Sequence, residues 1–184
     1  MLQYSFLRCA IAIALIAGPA TVRAQQAGAG SDSGYLAQVM SGAPATVVKG
    51  ATIVIMHHDG TTRMVQSGTN GFTCMLLDPA TPMCADKNAM DWMHAYLLHE
   101  APPDSVGFVY MLAGDGGASN TDPYATAPAS GNHWVKTGPH VMIVGPAAKN
   151  MGYPTSADPD PTKPYVMWPG TAYAHLMIPV TVQP

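Results

Sequence analysis

The sequence predicts an α+β fold that is β-rich, with a mostly antiparallel sheet or a small barrel or sandwich and one main helix at about 86–99. Short apolar and β-branched runs recur between turns that contain glycine or proline, which is typical of strands. Gly (18 residues) and Pro (17 residues) are too frequent for long helices to dominate. Hydrophobic residues make up 48% of the chain, which favours a folded core over disorder.

The N-terminal segment has the layout of a secretory signal peptide. Arg8 precedes an apolar run that ends at Gly18-Pro19, and Val22-Arg23-Ala24 resembles a cleavage site. The sequence therefore predicts an exported bacterial protein, either periplasmic or secreted. In chain order, we expect a signal peptide at 1–24, a flexible leader at 25–34 and a single globular domain at 35–184.

Local patterns predict the first strands and the helix. The runs TIVIMHH and TTRMVQ flank Asp59-Gly60, which favours a two-residue hairpin turn, and a third strand follows at 71–77. The helix begins at Asp86, which can cap it, and ends before Pro102-Pro103. Its apolar stripe comprises Met90, Met93 and Leu97.

The second half of the chain contains further short apolar segments. Residues 106–113 form a buried run, and a long polar loop follows it. Three later segments share the order His or Tyr, then Val or Leu, then Met, and they begin at His140, Tyr165 and His175. Because glycine and proline residues separate these segments, we expect strands rather than helices.

Charge and hydropathy limit the classes of partner. Eight Lys and Arg residues against eleven Asp and Glu residues give a net charge of −3, whereas a nucleic-acid-binding protein needs a basic face. After the N-terminal segment, no stretch approaches the ~18 apolar residues of a membrane span. We therefore expect no nucleic-acid partner and no transmembrane segment in the mature chain, and the sequence leaves open whether the partner is a small ligand or a protein.

Two cysteines, Cys74 and Cys84, remain after the predicted cleavage. In an oxidising compartment, their short separation and the turn-like, proline-containing segment between them favour a disulfide bond that ties the third strand to the helix. Closing so short a loop contributes roughly 2–3 kcal/mol. The alternative is a reactive thiol at Cys84, just before the helix N-terminus.

Methionine and histidine together suggest a soft-metal site. The chain has 13 Met and 7 His, and thioether and imidazole groups suit copper. Residues i and i+2 of a strand share a face, so His140 projects with Met142 and His175 projects with Met177. If the two strands pair, these four side chains could hold one copper ion. The alternative is that methionine fills the core and the histidines lie at strand ends.

The polar loop offers candidates for one wall of a pocket. Asp115, Asn120 and Asp122 supply oxygen atoms but lack the spacing of an EF-hand, and His133 and Trp134 follow shortly after. Asx and Ser/Thr turns explain the same residue types without a ligand. Because long ordered loops often carry function, all five residues are candidates for one wall of a pocket.

Five strings together resemble a family of small exported bacterial proteins with no characterised activity. They are NGFTCM at 70–75, MCADKNAMDWM at 83–93, SNTDPYA at 119–125, GPHVMIVG at 138–145 and PYVMWPGTAYAHLMIPV at 164–180. The resemblance covers about residues 70–180. It implies export and one compact domain, and it implies no cofactor or catalytic residue.

These observations favour a non-catalytic exported binding protein for a small ligand or a soft metal. The sequence has no nucleophile elbow, zincin, P-loop or Cys-x-x-Cys motif, so catalysis is the weaker hypothesis and no catalytic residue is assigned. One alternative is a small extracytoplasmic hydrolase-like enzyme that uses His and Asp residues. The other is an envelope protein with a structural or interaction role. Convergent His and Asp side chains would favour the enzyme, a His–Met cluster would favour metal binding, and an exposed apolar patch would favour interaction.

Overall fold

The computed structural model describes residues 32–57 and 61–181. Residues 32–39 are helical (α1), and α2 (Ala45–Gly50), α3 (Lys87–Leu97) and a 3₁₀ helix (Pro146–Asn150) follow. The strands are β1 (Thr52–Met56), β2 (Thr62–Gln66), β3 (Phe72–Leu76), β4 (Pro82–Asp86), β5 (Gly107–Met111), β6 (Ala118–Ser119), β7 (Trp134–Val135), β8 (His140–Val144), β9 (Tyr165–Met167) and β10 (His175–Pro179).

Eight of these strands form one open sheet in the order β2-β1-β3-β4-β5-β8-β10-β9. Neighbouring strands are antiparallel, except that β1 runs parallel to β3. The short strands β6 and β7 pair separately. The β-rich α+β class and the mostly antiparallel sheet are therefore confirmed, and the sheet does not close into a barrel.

Helices cover both faces of the sheet. On one face, α3 packs over β4 and β5, and Trp92 joins a core rich in methionine and aromatic side chains. On the other face, α1 and α2 supply Val39 and Val48 to a second core that surrounds Ile53. The sequence did not predict α2, because its residues ATVVKG include β-branched residues of low helix propensity.

The main helix begins at the predicted cap but buries a different face. Oδ1 of Asp86 accepts a hydrogen bond from the N–H of Ala89 at 2.8 Å. Gly107 of β5 lets the helix approach, because a Cβ atom there would collide with the backbone of Ala89. The buried residues of α3 are Ala89, Trp92 and Ala95, whereas the predicted Met90 and Met93 are half-buried and Leu97 is exposed.

The predicted disulfide bond joins Cys74 and Cys84, whose Sγ atoms are 2.04 Å apart. Cys84 lies in β4, directly opposite Cys74 in β3. The bond therefore joins two neighbouring strands, and the expectation that it ties a strand to the helix was wrong. Both residues are fully buried in the core under α1 and α2, so Cys84 is not a free reactive thiol.

Three predictions of short segments fall wholly or partly outside the described residues. The signal peptide at 1–24 and the turn at Asp59-Gly60 lie outside them. Strands β1 and β2 pair as expected, with Met56 opposite Thr62. Residues 32–34 of the predicted flexible leader are described, and they belong to α1. Among the described helices, none has the length and apolar character of a membrane span.

Candidate ligand-binding cavity

A cavity of about 350 Å³ lies between the sheet and α3. Its wall is unusual in its sulfur content, because seven of the thirteen methionines line it. The acidic residues and histidines of the wall are Asp78, Asp115, His140 and His175. The methionines are Met56, Met83, Met93, Met111, Met142, Met167 and Met177.

The strand register explains why histidine and methionine side chains meet in this wall. Alternate residues of β5, β8 and β10 project from the face that α3 covers. Residues directly opposite each other on neighbouring antiparallel strands have Cβ atoms about 5 Å apart. Three such pairs form part of the wall: Met111–His140, Met142–Met177 and Met167–His175.

His140 presents a free lone pair inside the protein. The residue is fully buried, and its Nδ1 lies 2.7 Å from the carbonyl oxygen of Gly138. Because a carbonyl can only accept, Nδ1 carries the proton and Nε2 carries the lone pair. Nε2 is buried and has no hydrogen-bond partner. Burial lowers the pKa of His140, more than the hydrogen bond to Gly138 raises it, so the ring is neutral at pH 7.

His175 is fixed by one hydrogen bond and by contacts with two indole rings. Its Nδ1 donates a hydrogen bond to the carbonyl oxygen of Tyr173 at 3.0 Å. The imidazole lies edge-on to two indole rings, with ring centroids 5.3 Å from Trp92 and 4.8 Å from Trp168. Burial lowers the pKa of His175 to about 4, so this ring is also neutral at pH 7.

The register separates the two histidines along the sheet. His140 lies opposite Pro179, which is four residues from His175 along β10. The backbone positions are therefore about 13 Å apart along the strand, although His140 still lowers the pKa of His175 electrostatically. The register therefore arranges the predicted ligands as two groups along the sheet, with the paired Met142 and Met177 between the two histidines. We call these the His140 trio (His140, Met111, Met142) and the His175 trio (His175, Met167, Met177).

Asp115 is the one predicted loop residue that lines the cavity. Its Oδ1 accepts hydrogen bonds from the N–H groups of Gly117 (2.9 Å) and Thr137 (3.0 Å). Burial nevertheless raises the pKa of Asp115, more than these hydrogen bonds lower it. In the described part of the chain, no group of three or more His, Cys, Asp or Glu side chains could hold a metal ion. The cavity therefore lacks the donor set that zinc or calcium normally requires.

The other four predicted loop residues do not line the cavity. Asn120 is fully buried, and its Nδ2 donates to two backbone carbonyls. Asp122 is exposed and accepts the N–H two residues further along, as the Asx-turn alternative expects. Nδ1 of His133 forms a hydrogen bond with Oδ1 of Asp158 at 2.8 Å, and Trp134 is a half-buried residue of β7. Their contacts hold the loop in place rather than form a pocket.

Sequence analysis missed the aromatic side of the cavity. Trp92 and Tyr96 of α3 stack against Trp168, with ring centroids 6.2 Å and 5.2 Å away. The i, i+4 spacing of Trp92 and Tyr96 was a signal that could have indicated a shared helix face. The position of Trp168, after β9, depends on tertiary packing that the sequence does not reveal. The indole Nε1 of Trp92 is a second buried cavity-wall atom without a hydrogen-bond partner.

No family model, curated protein or solved structure matches this chain. The chemistry of the cavity therefore has to come from its own residues.

Proposed function

We propose that this chain is an exported, non-catalytic binding protein whose cavity between the sheet and α3 is the binding site. The observation that carries the proposal is the lone pair on Nε2 of His140, which is buried, unpartnered and on the cavity wall. Leaving a buried polar group without a partner costs about 1–3 kcal/mol. A ligand that offers a hydrogen-bond donor or a vacant metal orbital would recover that free energy.

The size and lining of the cavity support a soft or mostly apolar ligand. A volume of about 350 Å³ falls within the ~300–1,000 Å³ that is usual for small-molecule sites. Seven thioether groups and two indole groups line the wall together with two neutral imidazoles. The unpartnered N–H of Trp92 adds a hydrogen-bond donor to the wall, whereas the lone pair of His140 is an acceptor. The ligand that fits best is therefore small and weakly hydrated, with few polar atoms.

Export is part of the proposal and is supported by the disulfide bond. The Cys74–Cys84 bond is buried, and structural disulfides persist mainly in oxidising compartments outside the cytoplasm. The predicted signal peptide points in the same direction. A fusion of residues 1–24 to a reporter enzyme that folds only after export would test this part separately.

Methionine methyl NMR tests the binding site directly. With ¹³C-labelled methionine methyl groups, the seven cavity methionines report on the site, while Met64, which is 61% exposed, and Met151, which is 42% exposed, report on the surface. We expect indole, a small bicyclic donor, or Cu(I) to shift the Met142 and Met177 signals and leave Met64 and Met151 unchanged. If neither probe moves any cavity methyl signal, the proposal is wrong.

A hydrolase is the second candidate, because Asp115 and His140 line the same cavity and interact electrostatically. In that case the neutral imidazole of His140 would act as a general base toward water. The wild type should then hydrolyse a small activated ester faster than His140→Phe does. If the reaction depends on Asp115, the rate should also fall in Asp115→Asn. Equal rates for the wild type and both variants would eliminate this candidate.

A further inference from the structure

We propose that the ligand of the cavity is a single Cu(I) ion bound by the His140 trio, through Nε2 of His140 and the Sδ atoms of Met111 and Met142. This inference rests on the proposed function and names the ligand class. It also revises the predicted ligand set, because it keeps His140 and Met142, adds Met111 from a neighbouring strand, and omits His175 and Met177.

The sheet places the three donors on one small patch. Met111 lies directly opposite His140, with Cβ atoms about 5 Å apart. Met142 lies two residues further along β8 on the same face, about 7 Å away. All three side chains line the cavity. Three flexible or rotatable donors over such a patch can reach an ion held above it at bond lengths of about 2.0–2.3 Å.

The donor chemistry selects a soft monovalent ion. The hydrogen bond from Nδ1 of His140 to the carbonyl of Gly138 fixes the ring and leaves Nε2 as the ligand atom, which is the usual outer-sphere support for a metal-binding imidazole. Thioether sulfur prefers Cu(I) to the hard divalent cations. The three donors are neutral, and burying one positive charge costs far less desolvation energy than burying two.

The choice between the two trios rests on their different surroundings. In the His140 trio, Nε2 of the imidazole is the buried atom that lacks a partner. The nearby carboxyl group of Asp115 interacts electrostatically with His140 and would favour a cation at this end of the cavity. In the His175 trio, the imidazole packs edge-on against Trp92 and Trp168. The aromatic packing gives His175 a structural role in the core.

The two trios provide a matched pair of variants. Met111→Leu/Met142→Leu removes two proposed ligands, and Met167→Leu/Met177→Leu removes the corresponding sulfur atoms beside His175. Leu and Met have similar volumes, so both variants should keep the cavity wall packed. Far- and near-ultraviolet circular dichroism on each purified full chain verifies that the fold is retained.

The measurement is anaerobic titration of the metal-free protein with Cu(I) in competition with a chromophoric Cu(I) chelator. We expect one Cu(I) per wild-type chain, with affinity lowered at least about 100-fold in Met111→Leu/Met142→Leu and unchanged in Met167→Leu/Met177→Leu. X-ray absorption should find nitrogen at about 2.0 Å and sulfur at about 2.3 Å from copper. Zn(II) in the same titration should not compete.

Other outcomes separate this inference from the proposed function. If Cu(I) does not bind but indole shifts the cavity methyl signals, the copper assignment is wrong and the binding function stands. If neither binds, both are wrong. Loss of Cu(I) binding in Met167→Leu/Met177→Leu, or a second equivalent bound by the wild type, would overturn the assignment to the His140 trio.

Discussion

Acidification should destabilise the metal-free protein through His175, and the structure gives the sign and size of the effect. Burial lowers the pKa of His175 to about 4, whereas an unfolded histidine titrates near 6.5. Between these values the unfolded chain binds a proton that the folded protein does not bind. The free energy of unfolding therefore keeps its full value above about pH 6.5 and falls as the pH drops toward 4.

The difference in pKa corresponds to about 3 kcal/mol at pH 4, because each pKa unit is worth about 1.4 kcal/mol. His140 adds to the loss in the same direction, since burial also lowers its pKa. Asp115 acts oppositely at the acidic end, because its raised pKa lets the folded state take up a proton above pH 3.8. The wild-type curve alone therefore mixes these groups with carboxyl groups such as Asp32 and Asp160, whose pKa values are also shifted, and a variant is needed to isolate His175.

His175→Phe isolates the contribution, because it keeps an aromatic ring between Trp92 and Trp168 and cannot titrate. At pH 7 the variant should be less stable than the wild type by about 1 kcal/mol, the value of the lost hydrogen bond to Tyr173. Between pH 7 and pH 4, the free energy of unfolding of the variant should rise by about 3 kcal/mol relative to that of the wild type. Urea unfolding at both pH values measures it, with His94→Phe as the control for losing an exposed histidine. A difference between wild type and variant that is the same at pH 7 and pH 4 would refute the reasoning.

Two further predictions concern the fold. Cys74→Ala/Cys84→Ala should lower the free energy of unfolding by roughly 3 kcal/mol, the loop-closure value for a separation of 10 residues; thiol counting on the unreduced, denatured wild type should find no free thiol from this pair. Gly107→Ala should cost about 1–3 kcal/mol, because the added methyl group would collide with the backbone of Ala89. Gly138→Ala, where a Cβ meets nothing within 4 Å, is the control, and an equal loss in both variants would contradict the packing argument.

Elements with strong local signals were predictable from the sequence. Asp86 was identified as the cap of α3, and the runs that became β1, β2, β3, β5 and β8 were placed within one or two residues. The alternation of His140 with Met142 was enough to put both side chains on one face. The inward face of α3 was missed because the close contact at Gly107 depends on a strand that follows the helix in sequence.

The neighbours of each candidate ligand could not be predicted, because they depend on strand order. Met111 precedes His140 by 29 positions and becomes its direct partner only because β5 pairs with β8. In the same way, Met167 reaches His175 through the pairing of β9 with β10. The periodicity of a strand fixes which residues share a face, but it contains no information about which strand lies alongside.

Methionine as core filler and methionine as ligand predict different surroundings for the histidines. If the methionines only fill the core, Met142 of β8 and Met177 of β10 should pack among aliphatic side chains. The imidazoles of the same strands should then face elsewhere. In the structure, both imidazoles line the same cavity as seven methionines, and each has a methionine directly across the sheet. A buried polar group without a partner costs about 1–3 kcal/mol, and a ligand that satisfies it would recover that free energy. The unsatisfied Nε2 of His140 therefore favours a ligand in the cavity over packing alone.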